Sequence, residues 1–254
     1  MALTLYHGEP NGPSLTVLAT LFEKGAEATL RKIDLTAGER HTLPFADETE
    51  VAMSVEGEGP VLVADGVAMT DGFFAALYLE EAFPGNPLRP EGAFGHWELL
   101  TWCRWMNERM APAAALLGTR AYLAPKFAGK VPTLPKMVSA DLADRWRAVV
   151  ANDFAESQLT DSHAKVAQAV QKIEDALADK EWLLGPFTIA DIDTYAWIAS
   201  MQLLSTAAFA NAPRTVDWLR RVKSRPSVQR ALALASVDEP TQVWAPGPEI
   251  NRWG

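Results

Sequence analysis

The chain has 254 residues, 48% of them hydrophobic, and 23 basic against 32 acidic side chains give a net charge of −9. This length and apolar content suit one large or two ordinary domains with a sizeable core, and the acidic balance excludes nucleic acid as an expected partner because it repels phosphates. A single cysteine, Cys103, excludes an intrachain disulfide and a cysteine-built zinc site; with no basic-then-apolar leader and no apolar run of roughly 18 residues, a cytoplasmic protein with no membrane contact and no metal is expected.

Leu3 to His7 reads as a first strand. Ser14 to Lys24, with Leu15, Leu18, Leu21 and Phe22 on one face, reads as a helix closed by Gly25. Ala28 to Leu35 is a second strand, and a polar helix or loop is expected from Arg40 to Ser54. Gly59-Pro60-Val61-Leu62-Val63, the turn Asp65-Gly66 and a second short strand then form a hairpin, followed by Thr70-Asp71-Gly72-Phe73-Phe74 and a helix over Phe73 to Phe83. The order is βαβ then ββα, an α/β layer structure over residues 1–82.

Three prolines and two glycines between Phe83 and Gly92 stop both helix and strand, so 83–92 is the domain linker. Beyond it, 93–254 reads as an all-α domain. Helices are expected at Phe94 to Gly118, Ala140 to Phe154, Asp161 to Ala178, Thr188 to Phe209, Thr215 to Lys223 and Ser227 to Ser236. Asp238 to Gly254 is too proline-rich for helix and is expected to fold back over a pocket or a partner. Thr188 and Asp191 form a capping box at the head of one helix.

These motifs together resemble the glutathione transferase superfamily. The stretch from Gly59 to Glu81 is similar to that superfamily's glutathione-binding half, with Gly59-Pro60 where Val-Pro is usual and Asp71-Gly72 where Glu-Ser is usual. Trp182 to Tyr195 is similar to the folding-nucleus motif of its helical domain, and Trp218-Leu219 with Arg225-Pro226-Ser227-Val228 is similar to the end of that domain. The resemblance covers residues 3–237 and implies a thioredoxin-like N-terminal domain followed by a helical bundle. The opening from Leu5 to Gly25, the Leu79 to Pro84 join and the tryptophans Trp97, Trp102 and Trp105 resemble bacterial β-etherases, which cleave β-aryl ethers of lignin-derived dimers.

The resemblance implies glutathione as cosubstrate, held as a thiolate because a protonated thiol is a poor nucleophile. Ser14, the hydroxyl of the loop running from Gly8, is a candidate donor to that sulfur or a plain N-cap. Asn11 is a second candidate donor, or simply a turn residue. Pro13 lacks an amide hydrogen that could face the sulfur. Gly59 and Pro60 would present backbone groups to the cysteinyl part, Pro60 as a cis-proline or merely as the opening of a strand. Asp71 would meet the α-ammonium or act only as a helix cap. Gly72 would leave the α-carboxylate to helix amides, at a cost of roughly 1.5–3 kcal/mol for the missing hydroxyl. Arg40 and His41 would take the glycyl carboxylate or lie on a solvated face. Trp102, Trp105, Met106 and Met110 fall at helical spacing, where they would stack on aryl rings or pack the core. Cys103 is expected to be a buried, inert thiol.

Three functions stay open at this point: a subunit of a glutathione-dependent β-etherase with a degenerate glutathione site, as homodimer or as heterodimer with an intact paralogue; a general glutathione transferase; and a non-catalytic interaction protein of the same fold.

Overall fold

The computed structural model describes residues 2–45, 59–130 and 140–246. Strand β1 (Leu3–His7) buries alternate residues Leu3, Leu5 and His7, the period expected of a pleated ribbon. It lies inside a four-stranded sheet of order β2-β1-β3-β4. Parallel pairing with β2 (Thr29–Lys32) sets Leu5 against Leu30, and antiparallel pairing with β3 (Val61–Ala64) sets Leu5 against Leu62. Parallel neighbours need a crossover, which helix α1 (Gly12–Glu23) supplies. α1 stops where expected. Gly25, at φ +63°, bonds back to Phe22 O, and Ala26 bonds to Leu21 O, the paired bonds of a left-handed glycine cap.

β3 turns into β4 (Val67–Met69) through Asp65 and Gly66, both at positive φ, the two-residue turn whose twist matches the strands. Asp65 also ties down the chain start by accepting from Ala2 N at 2.7 Å. β2 is shorter than the expected Ala28 to Leu35. Asp34 Oδ1 captures the amides of Thr36 and Ala37 and bends the chain out of the sheet. A single 3₁₀ turn, Glu39–Thr42, follows. The rest of the polar stretch up to Ser54 falls mostly outside the described residues. Helix α2 (Gly72–Ala82) completes the first domain.

No helix or strand crosses the linker. Its Leu88 is buried, and Leu88 O accepts from Ile189 N at 2.8 Å, which pins the linker to the second domain.

The expected helix from Phe94 to Gly118 is instead a long run with two wide turns. α3 (Gly92–Trp105) passes through a π-helical turn at Met106–Met110 into α4 (Ala111–Gly118), then through a second at Thr119–Leu123 into α5 (Ala124–Phe127). Each wide turn lies just ahead of a proline, Pro112 or Pro125. Proline cannot donate to the carbonyl four residues back and crowds it, and the wider turn relieves both.

Helices α6 (Ala140–Ala151), α7 (Glu156–Ala176), α8 (Ile189–Ile198), α9 (Met201–Leu204), α10 (Pro213–Lys223) and α11 (Pro226–Leu232) complete the bundle. α8 is buried on every side and forms the axis of the domain. Its head carries the expected capping pattern: Thr188 Oγ1 accepts from Ala190 N, and Thr188 N donates to Asp191 Oδ2 at 3.0 Å. Asp191 Oδ1 also accepts from Leu183 N and from Trp218 Nε1 at 2.9 Å. Burial pushes its carboxyl up to about 6 in spite of those bonds.

The two domains share one hydrophobic core, which includes Leu15 and Leu18 of α1 and Ile189 and Ile192 of α8. Glu23 of α1 accepts from Arg225 and Ser227 at the far end of the junction.

Candidate active site at the domain junction

The loop between β1 and α1 is held tightly. Asn11 has extended backbone and its Oδ1 accepts from Gly12 N at 3.1 Å, so Asn11 is the N-cap of α1. Ser14 lies one turn inside the helix, 1% exposed, with Oγ accepting from Gly8 N at 3.0 Å. It is therefore not the cap, and its hydroxyl braces the loop. The Nδ2 of Asn11 donates to Val243 O at 2.7 Å, a contact with the chain's C-terminal segment.

The head of α2 faces the head of α1. Asp71, at φ +67°, caps α2 by accepting from Phe73 N at 2.9 Å and Phe74 N at 3.2 Å. A Cβ on Gly72 would lie 2.9 Å from both Cβ and O of Pro13. No larger residue fits there without displacing α1, so the glycine at 72 and the proline at 13 belong to one close approach.

The helical domain contributes a third side. Asp193 of α8 is 1% exposed; Oδ1 accepts from Thr16 Oγ1 of α1 at 3.1 Å, and Oδ2 accepts from Asn107 Nδ2 at 2.7 Å. Asn107 sits on the first π turn and also donates to Cys103 O at 2.9 Å, so the wide turn aims its amide inward. Burial pushes the Asp193 carboxyl up to about 7; the bonds from Asn107 and Thr16 oppose the rise and the charge of Asp71 adds to it. Between Pro13, Asp71, Gly72, Asn107, Asp193 and Trp197 remains a cavity of about 10 Å³, the size of one water or one ammonium group. A second cavity of about 10 Å³ lies between Asn11, Ala114, Gly118, Trp197, Val243 and Ala245. The buried Trp197 Nε1 has no hydrogen-bond partner among the described residues.

Other expected site residues are placed differently. No peptide among the described residues is cis, so Gly59–Pro60 is trans, the default for X-Pro bonds, and the expected cis-proline is corrected. Both residues are buried beside β3. Arg40 is buried and His41 half-buried on the 3₁₀ turn, and neither lines either cavity. Met106 and Met110 are fully buried in the bundle core. Trp102 Nε1 donates to Thr194 Oγ1 at 2.9 Å, and the Lys172 ammonium covers the rings of Trp102 and Trp105 at 4.5 and 5.4 Å. These four side chains pack the bundle and line neither cavity; the wall facing Asn11 is made of Ala114, Gly118 and Trp197. Trp97 is 58% exposed.

Asp193, Asn107 and Val243 were not anticipated. Asp193 had a signal: it follows the capping Asp191 by two positions on a helix with no other charge. Val243 acts through its carbonyl and had none. Among the described residues no cluster of metal-binding side chains occurs, and no helix is long and apolar enough to cross a membrane.

A mixed β2-β1-β3-β4 sheet, with the heads of α1 and α2 converging on an all-helical second domain, is the glutathione transferase fold, and the chain has that fold. Among proteins of this fold it resembles the β-etherase LigF. The protein LigF of Sphingobium sp. (strain NBRC 103272 / SYK-6) is 28% identical over 244 residues, spanning 90% of this chain and 92% of LigF. The crystal structure of β-etherase LigF from Sphingobium sp. strain SYK-6 superposes with a TM-score of 0.81 at 27% identity, covering 92% of this chain and 99% of that one. Glutathione transferase F7 of Populus trichocarpa superposes with a TM-score of 0.70 at 21% identity, covering 91% and 98%. No family model matches the chain.

Proposed function

We propose that this chain is an enzyme of the glutathione transferase and β-etherase type, acting as a subunit of a glutathione-dependent β-etherase whose own glutathione site is degenerate. Likeness to LigF over nine-tenths of the chain supports the activity. In that activity glutathione supplies a thiolate; its sulfur bonds to the β-carbon as the carbon–oxygen bond breaks, and the departing phenolate takes the electron pair and then a proton from water.

The Pro13–Gly72 approach is the observation that carries the degenerate-site reading. It closes the space beside Asp71 to about 10 Å³ and leaves no room for a serine side chain at 72. What this chain offers glutathione is the capping carboxylate of Asp71, backbone groups at Gly59 and Pro60, and the Asn11 amide once released from Val243. The aryl substrate would lie along the Ala114–Gly118 wall. Phe74 on α2 and the neighbouring rings of Phe94 and Trp97 on α3 are exposed apolar side chains that suit an intact paralogue as the second subunit.

The test is calorimetric titration of glutathione into the chain expressed alone, beside an intact transferase. The expected affinity is about ten- to a hundredfold weaker, the loss that one missing charge-assisted bond produces. Equal affinity, or full β-etherase activity from the purified homodimer, would overturn the degenerate-subunit reading.

A further inference from the structure

After α11 the chain turns back across the domain junction. Ser236 N and Oγ donate to the Glu9 carboxylate, the N–H at 3.1 Å. A 3₁₀ turn at Pro240–Gln242 redirects the backbone. Val243 O then accepts from Asn11, and Trp244 Nε1 donates to Thr119 Oγ1, on the second π turn, at 3.2 Å. Ala245 closes over the head of α1, 2.8 Å from where a Cβ on Gly12 would stand.

The floor beneath this strap is a trough of small residues, Ala114, Gly118, Ala196 and Ser200, with Trp197 as one wall. Small side chains in a row leave room for something else, and here the strap fills it. About 10 Å³ remains, whereas one benzene-sized ring occupies a cavity on the order of 150 Å³. Trp244 packs against the small cluster of Leu123, Ala124, Trp146 and Val149, and beyond that one anchor the strap's hold is slight. Its polar contacts with the body run through Glu9, Asn11 and Thr119, Val243 to Ala245 are only half-buried, and no strand pairing secures it. Segments held in this way open at low free energy.

We infer that the strap from Ser236 to Pro246 is an occluder built into the chain: it fills the aryl trough in the free protein and is displaced when an aromatic ligand occupies that trough. The inference rests on the proposed reading of the junction as a site for an aryl electrophile. It also gives Asn11 two states, bonded to Val243 O when closed and available to a ligand when open. A ligand that binds only the open form is weakened by the fraction of chains that are closed.

Fluorescence titration with 1-anilinonaphthalene-8-sulfonate, an aromatic probe that needs no glutathione, tests it on three proteins. A chain ending at Val237, which keeps the Ser236–Glu9 contact, is expected to bind the probe at least about tenfold tighter than the full chain. Adding Gly118→Trp to that shortened chain fills the trough, and a Cβ at 118 meets nothing within 4 Å, so the gain is expected to disappear. Equal affinity of full and shortened chains, or a gain that Gly118→Trp leaves intact, overturns the inference. Should the shortened chain fail to fold, Thr119→Val and Trp244→Phe in the full chain remove the same Trp244–Thr119 tether from its two ends and are each expected to tighten the probe severalfold; unchanged affinity in both overturns it. Glutathione calorimetry on the same proteins separates the two ideas, because an affinity equal to that of an intact transferase counts against the proposed function while the probe result still decides the strap.

Discussion

Replacing Asp193 by asparagine should change how the chain's stability depends on pH. Asp193 is a carboxylate enclosed at the meeting of α1, α3 and α8, and burial raises its carboxyl from the ordinary 3.8 to about 7. Folding therefore favours the protonated form. Its contribution to stability is fully present below about pH 4 and is lost as pH rises through about 7. Between about pH 4.5 and 8 the linkage relation gives a loss of about 3 kcal/mol, at 1.36 kcal/mol for each unit of separation between folded and unfolded values. The groups facing it are Asp71, whose charge adds to the rise, Thr16 and Asn107, and of these only Asp71 is acidic. Asp193→Asn removes the titration and keeps the shape. Urea unfolding followed by tryptophan fluorescence at several pH values should show wild type losing about 2 to 4 kcal/mol relative to the variant across that window. Asp191, raised to about 6 by burial, adds a slope of the same sign that both proteins share. Parallel stability profiles, with a constant gap between the two proteins, would refute the argument, because they would mean that Asp193 is as easily ionised folded as unfolded.

Gly72→Ser, which restores the residue usual in glutathione transferases, should destabilise the chain by about 1–3 kcal/mol, because its Cβ would press on Pro13; unchanged urea midpoints for both Gly72→Ser and Gly72→Ala would show that the approach relaxes freely. Cys103 has no exposed surface, and burial with the charges of Asp193 and Asp191 holds its thiol well above the usual value. An aromatic disulfide reagent at about pH 8 should leave the folded chain unmodified for hours and label it at once in urea, whereas rapid labelling of the folded chain would count against the buried placement.

Local chemistry was the legible part of this protein. The Asp65-Gly66 turn, the Gly25 stop and the capping pair Thr188 and Asp191 act over three or four residues, and each could be read from the letters alone. Helix starts fall within a residue or two of expectation except for α7, which begins at Glu156, five residues ahead of the expected Asp161. The sequence offers Ser14 as a cap of α1, whereas Asn11, followed by a positive-φ glycine and a proline, does the capping. Pro112 was a visible warning that the long helix could not be regular, yet whether a proline kinks, ends or widens a helix depends on its surroundings. The parts of the site that escaped were long-range. Asp193 meets Thr16 across 177 positions, and Asn11 meets Val243 across 232. The clash that keeps residue 72 a glycine comes from a proline 59 positions away, by the difference 72 − 13. Aromatic spacing misled for a related reason: Trp102, Met106 and Met110 do share a helix face, but it is the face turned to the bundle core.

The two wide turns ahead of Pro112 and Pro125 each wind one more residue into a turn than a regular helix would. Residues beyond such a point are rotated by about 100° relative to an uninterrupted helix. Deleting one residue from the first turn would swing Thr119 and the small-residue floor toward a different neighbour, while the same deletion after Phe127 would leave them in place. When this chain is aligned with its relatives, a one-residue gap near Met106–Met110 thus marks a reoriented Ala114–Gly118 wall, and an alignment that smooths such a gap away compares side chains that point in different directions.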